Sequence, residues 1–157
     1  MDTSTLPYRP GVGIVLRGGD GRVFAARRID TPAEAWQMPQ GGVDAGERPE
    51  ETALRELEEE TGIPPALVRI LRATPEPLRY DLPPELVPSV WGGRYRGQEQ
   101  TWFLMDFLGE DSDINIETAH PEFSEWRWME PPELIRRIVP FKRDLYRRIF
   151  ETFADAF

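Results

Sequence analysis

Apolar and polar positions alternate between two rhythms along the chain. Gly11 to Arg17 (GVGIVLR) is nearly continuous in apolar residues and reads as a buried strand. Arg22 to Arg28 (RVFAARR) reads as its partner, and Gly18-Gly19-Asp20-Gly21 between them is a hairpin signal. Trp36 to Pro39 suggests a short strand leading into a glycine-rich loop, Gln40 to Gly46. A helix then runs from Pro49 to Gly62. Pro49 suits its first turn, Glu50 and Glu51 favour its positive end, and Gly62 stops it before Pro64-Pro65. Val68 to Ala73 and Leu78 to Tyr80 are strand-like, Glu99 to Leu108 (EQTWFLMDFL) has the run of a central strand, and Glu125 to Met129 adds another. Pro132 to Ile138 and Lys142 to Phe153 are helical, and Leu145, Ile149 and Phe153 repeat every four residues as a core-facing stripe. Trp36, Trp102, Trp126 and Trp128, all on strands, are expected in the core. This order of elements predicts an α+β sandwich, a mixed sheet between helices.

Composition narrows the chemistry. The 157 residues fit one domain, residues 1–157, with no repeat or linker to divide it. Apolar runs such as Ile14 to Leu16 and Trp102 to Met105 are far short of the roughly 20 residues a membrane span needs. No basic start with an apolar stretch behind it opens the chain, so a cytoplasmic protein without membrane partners is expected. There are no cysteines, which excludes disulfides, thiolate zinc sites, iron–sulfur clusters and thiol catalysis. The single histidine, His120 before Pro121, reads as an exposed loop residue. Catalysis must therefore lean on carboxylates, Arg, Lys, Tyr and metals that prefer oxygen.

The formal net charge is −9, which argues against coating duplex DNA. It still permits a polyanionic substrate, because bound divalent cations invert the local field. Over half of the excess charge sits between Glu47 and Glu60, which holds seven acids and two arginines. Within that stretch Glu56, Glu59 and Glu60 are spaced i, i+3, i+4 and share one helix face. Like charges so placed cost an isolated helix about 0.2–0.5 kcal/mol per pair. A solvated acidic face is the ordinary outcome of such a run. Here no lysine interleaves at i+4 and a glycine-rich loop feeds straight into the helix, and clustered carboxylates in that setting suit a hard cation such as Mg²⁺ or Mn²⁺.

Gly41, Glu47, Arg55, Glu56, Leu57, Glu59, Glu60, Gly62 and Ile63 match every fixed position of G-x5-E-x7-R-E-U-x-E-E-x-G-U, with U aliphatic. The chain thereby resembles the Nudix hydrolases. Tyr8-Arg9-Pro10, Trp36-Gln37-Met38-Pro39-Gln40-Gly41-Gly42, Leu78-Arg79-Tyr80, Gly97-Gln98, Pro121-Glu122-Phe123 and Phe141-Lys142-Arg143-Asp144 are similar to the branch of RNA pyrophosphohydrolases and asymmetrically cleaving diadenosine tetraphosphate hydrolases. The resemblance implies the Nudix fold and metal-dependent hydrolysis of phosphoanhydride bonds. The substrate it implies is 5′-triphosphorylated RNA, left with a 5′-monophosphate; the alternatives are dinucleoside polyphosphates or free nucleotides, and from another class a noncatalytic nucleotide sensor. It implies Mg²⁺, with Mn²⁺ as a substitute, held by Glu56, Glu59, Glu60, Glu122 and a carbonyl near Gly41. Glu56, Glu60 and Glu122 form the expected catalytic set, with Arg55 as their anchor alongside Glu47. Arg9 and Arg28 are expected to clamp phosphates, Gln40 and Tyr80 to assist, and Phe141 and Lys142 to meet the 5′ end of RNA, by stacking on a base and by charge.

Overall fold

The coordinates are a computed structural model that describes residues 2–30 and 35–157. In chain order the elements are β1 (Tyr8–Arg17), β2 (Val23–Arg28), β3 (Trp36–Gln37), β4 (Gln40–Gly42), α1 (Pro49–Thr61), β5 (Val68–Ala73), β6 (Leu78–Asp81), β7 (Gly97–Phe107), β8 (Phe123–Met129), α2 (Pro131–Arg137) and α3 (Arg143–Thr152). All the strands belong to one mixed sheet. Its spine is the parallel pair β1–β7, in unbroken register from Tyr8 opposite Gly97 to Arg17 opposite Asp106. The other pairings are antiparallel: β2 and β4 on β1, β5 and β6 on β7, β3 and β8 on β2.

Both faces of the spine are covered, which is why β1 and β7 read as continuous apolar runs rather than alternating ones. Val12, Ile14, Leu16, Phe103 and Met105 pack with Ala53, Leu57 and Ile63 on the α1 side. Val15, Trp102 and Leu104 pack with Leu134, Leu145, Ile149 and Phe153 on the side of α2 and α3. The Leu145, Ile149, Phe153 stripe is fully buried, as its spacing predicts. No helix among the described residues is long and apolar enough to cross a membrane.

Two expectations change. Gln40 to Gly46 is not loop throughout. Gln40–Gly42 forms β4 and pairs with Gly11, Val12 and Gly13 of β1. The hairpin pairs β1 with β2 only at its far end, Arg17 opposite Val23. The early part of β1 thus needs another partner for its buried backbone groups, and β4 supplies it. Trp126 and Trp128 are only half-buried, unlike Trp36 and Trp102. They lie on β8, beyond β2, where less of the molecule covers them. Trp126 stacks on Phe24 at 5.6 Å, and the Trp128 indole donates to Asp111 at 2.8 Å.

Gly13 fixes the close approach of the two spine strands. A Cβ there would stand 2.4 Å from the Trp102 ring atoms. Gly13→Ala is therefore expected to act as overpacking, costing about 1–3 kcal/mol. For a chain of this length that is roughly 3–10 °C in Tm. A thermal melt checks it.

Candidate active site

Glu56, Glu59 and Glu60 are presented by α1, with Gln40 and Gly41 of β4 against Glu60 and Glu56. The first turn of α1 is closed by Arg48 and Glu51, whose side chain accepts from the Arg48 N–H at 3.3 Å. Its last turn ends at Gly62, whose N–H donates to Glu58 O at 2.9 Å. Ala53 and Leu57 fasten the helix to the sheet, which turns Glu56 and Glu60 inward and leaves Glu59 out. Glu60 is only 6% exposed, whereas the Glu59 side chain is 58% exposed. The shared face read from the spacing is thus split by packing.

Gly41 is there because of Glu56: a Cβ on Gly41 would stand 2.1 Å from the Glu56 carboxyl carbon. The neighbouring Gln40 N–H donates to Glu60 Oε2 at 3.3 Å. Burial pushes the Glu60 carboxyl well above the usual range, and the charges of Glu56 and Glu122 add to it. Glu56 is also raised, by burial first, with Arg55 opposing. Arg55 grips Glu47 with two bonds, 2.7 and 2.9 Å, and reaches Glu56 at 3.0 Å and Glu59 at 3.2 Å. That grip draws the Glu47 carboxyl down to about 2. Arg55 lines neither of the cavities described below; it ties the loop before α1 to the helix.

Arg9, Arg28, Gln40, Tyr80, Phe141 and Lys142, dispersed over most of the sequence, line one cavity of about 680 Å³. Gly41, Glu56, Glu60 and Glu122 line it too. Glu59 instead faces an adjoining depression of about 370 Å³, shared with Glu56, Glu60, Glu122 and the exposed His120. Acids and cations line the main cavity together, with Arg28 beside Glu122. Arg9 has no carboxylate partner among the described residues; it lies over the Trp91 ring at 5.4 Å and against the Gly42 backbone. Arg28 is held in the plane of Asp30 by bonds of 2.8 and 2.7 Å and approaches Glu122 at 3.5 Å. The β2–β8 register shifts at Arg27/Arg28, an irregularity of the kind that re-aims side chains near sites. Phe141 is half-buried in the turn before α3, its ring 6.1 Å from that of Tyr80. Lys142 is buried, with Nζ 4.9 Å from the Tyr80 ring, and burial together with the Arg28 charge lowers it to about 8.

Sequence reading missed several lining residues. Gln37, Gln98 and Trp91 sit in the cavity wall, and Val90 beside Trp91 comes from an irregular stretch without periodicity. The signal for Gln98 was present: with Gln100 and Trp102 it makes an alternating polar–polar–aromatic set on a strand that is otherwise core.

The donor set of the Gly41 carbonyl, Glu56, Glu60 and Glu122 is all oxygen, the kind a hard divalent cation takes, and a Cβ on Gly41 would fill the cradle beside Glu56. Among the described residues no three acidic or histidine side chains close into a cage. Arg55 and Arg28 engage members of the set instead. Carboxylates together with guanidinium and ammonium groups around one cavity, inside an α+β sandwich, suit a polyanionic ligand.

Comparison with known proteins specifies the class. A model of the NUDIX domain matches residues 7–149. The chain is 58% identical over 154 residues to the RNA pyrophosphohydrolase of Dinoroseobacter shibae, covering 98% of this chain and 96% of that one. It is 56% identical over 153 residues to the protein of the same name from Sphingopyxis alaskensis, covering 98% and 97%. Among solved structures it is similar to the E. coli dihydroneopterin triphosphate pyrophosphohydrolase, with a TM-score of 0.70, 20% identity and coverage of 90% and 96%. A C. elegans Ap4A hydrolase gives a TM-score of 0.67, 24% identity and coverage of 95% and 99%. The chain belongs to the Nudix family. It is an enzyme that acts on pyrophosphate bonds, and Nudix hydrolases generally need a divalent metal.

Proposed function

We propose that residues 1–157 act as one Nudix domain that removes pyrophosphate from the 5′-triphosphate end of RNA and leaves a 5′-monophosphate, with Mg²⁺ as the metal and Mn²⁺ as a substitute. The observation that carries this reading is identity of 56–58%, over nearly the whole length of both chains, to proteins named RNA pyrophosphohydrolase. The cavity's chemistry supports it: a polyanion needs cations along its length and an aromatic surface for its first bases.

Glu56, Glu59, Glu60 and the Gly41 carbonyl hold the metal in this reading, and Glu122 completes the set and helps handle the proton of the attacking water. When bound, the metal supplies charge neutralisation on the phosphate oxygens. Arg55 keeps Glu56 oriented through its own bonds to Glu47 and Glu56. Arg9 and Arg28 bind phosphate oxygens, a task that suits guanidinium groups. Lys142 adds a third cation beside them. Gln40 presents its N–H to Glu60, and Tyr80, kept neutral by burial, forms the floor under Phe141.

Phe141 stacks on a base near the 5′ end. Such stacking is worth about 1–3 kcal/mol per base. Phe141→Ala is therefore expected to lower kcat/KM on triphosphorylated RNA about tenfold or more. Tm should fall little, because the ring is half-buried; a core Phe→Ala would cost about 3–5 kcal/mol. A variant that melts far earlier yet turns over RNA normally would return Phe141 to the core.

The test of the function itself is a comparison of 5′-triphosphorylated RNA, diadenosine tetraphosphate and ADP-ribose on one preparation with Mg²⁺. The highest kcat/KM is expected for the RNA. A clear preference for diadenosine tetraphosphate or ADP-ribose overturns the reading.

A further inference from the structure

The cavity wall beside Tyr80 rests on a buried chain of polar side chains that the catalytic reading leaves without a task. Gln98, Gln100 and Trp102 occupy alternate positions on β7 and share one face, with Gly11 and Gly13 of β1 opposite Gln100 and Trp102. Gln98 is 1% exposed and Gln100 and Trp102 are fully buried. The Trp102 indole Nε1 donates to Gln100 Oε1 at 3.0 Å. Gln100 Nε2 donates to Gln98 Oε1 at 2.7 Å and to Gln40 Oε1 at 3.0 Å. Tyr80 Oη also donates to Gln98 Oε1, at 3.1 Å.

The direction of this chain follows from its first member. An indole N–H only donates, so Gln100 must turn its oxygen toward Trp102 and its NH₂ toward the other two glutamines. Those two must then answer with oxygen. The Gln40 NH₂ gives one hydrogen to Tyr80 Oη and keeps its second, no acceptor in the protein takes the Gln98 NH₂ among the described residues, and both residues line the cavity. Had the buried donor been an acceptor, every amide would face the other way and the wall would carry oxygens. Oxygens there would repel phosphate.

We propose that Trp102, acting through Gln100, is a positioning residue that sets the amide polarity of Gln98 and Gln40, so that this wall offers N–H donors to the oxygens of a polyphosphate chain. Trp102 and Gln100 themselves touch no substrate. The inference rests on the reading of the cavity as a triphosphate site.

Two variants test it. Trp102→Phe keeps an aromatic ring and removes the N–H that orients the chain. Gln100→Met keeps much of the shape but has no group that can donate onward, and it carries the test if Trp102→Phe does not fold. In each, KM for 5′-triphosphorylated RNA is expected to rise about tenfold, the size of a lost bond to a charged group, with kcat changing much less. The decisive measurement is non-additivity. In a Gln40→Ala, Gln98→Ala background, Trp102→Phe should leave KM where it is, because no amides remain to be oriented. A KM unchanged in both single variants, or an equal KM rise in the alanine background, overturns the proposal. Wild-type enzyme that fails to act on triphosphorylated RNA overturns the functional reading instead, and the two failures are told apart by that control.

Discussion

Glu60→Gln is expected to abolish most turnover while leaving the protein at least as stable as before. Loss of an acidic group at the centre of such a site costs about 10²–10⁴-fold in kcat. The stability side follows from burial. Glu60 is 6% exposed and its carboxyl is pushed well above the usual range by burial and by Glu56 and Glu122. For an acid raised in this way the folded state holds more protons than the unfolded state. Stability then falls as pH rises from the ordinary carboxylate value through the folded one, and above it the cost is present in full. At neutral pH an amide at position 60 removes that cost, and its oxygen can still accept the Gln40 N–H. Pyrophosphate release under saturating Mg²⁺ and a metal-free thermal melt are the two measurements. Near-normal turnover removes Glu60 from the site, and a large drop in Tm makes it structural.

Lys142→Met is expected to show the same trade more sharply. Lys142 is buried, has no carboxylate partner among the described residues, and is lowered to about 8 by burial and by Arg28. Between that value and the ordinary 10.5 the unfolded chain binds more protons, so stability rises with pH across this window. Below it the cost of the buried charge is present in full. At about 1.4 kcal/mol per pH unit, removing the charge at pH 7 returns up to about 3 kcal/mol. Tm should therefore rise in Lys142→Met. Turnover should move the other way, because a hydrogen bond to a charged group contributes about 1.5–3 kcal/mol. That is roughly a tenfold to hundredfold fall in kcat/KM on triphosphorylated RNA. The wild type should also lose kcat/KM as pH rises past about 8, and the variant should lack that limb. Equal Tm and equal pH profiles in the two proteins would mean that Lys142 is solvated and idle.

These two residues also mark how far local pattern reaches. Glu60 was legible because four-residue spacing puts it on one helix face with Glu56, and because its place in the box of nine matching positions is specific. Lys142 was legible only through likeness to a family segment. It opens the helix expected from Lys142 to Phe153 outside the Leu145, Ile149, Phe153 register, and nothing in its neighbours reveals that the ammonium group ends over Tyr80. Gln98 and Gln100 were present as an alternation on a central strand, but their meaning depends on a donor, Trp102, and a partner, Gln40, that are far apart in sequence.

By itself the sequence determined the elements and the chemistry that needs only neighbours along the chain. The hairpin at Gly18 to Gly21, the limits of the carboxylate helix, the buried stripe Leu145, Ile149, Phe153 and the oxygen-rich donor set all follow from turn chemistry and from repeat lengths of 2 and 3.6 residues. Tertiary structure decided which member of each set does what. It turned Glu56 and Glu60 inward and Glu59 outward, since α1 can present only one side to the sheet. It made a strand of Gln40 to Gly42, since the unpaired start of β1 needed hydrogen bonds. It left Trp126 and Trp128 half-covered on β8. And it gathered Arg9, Arg28, Tyr80 and Lys142 around one cavity, because the burial and field that give such groups their function are set by whatever packs across the fold, which spacing along one chain does not encode.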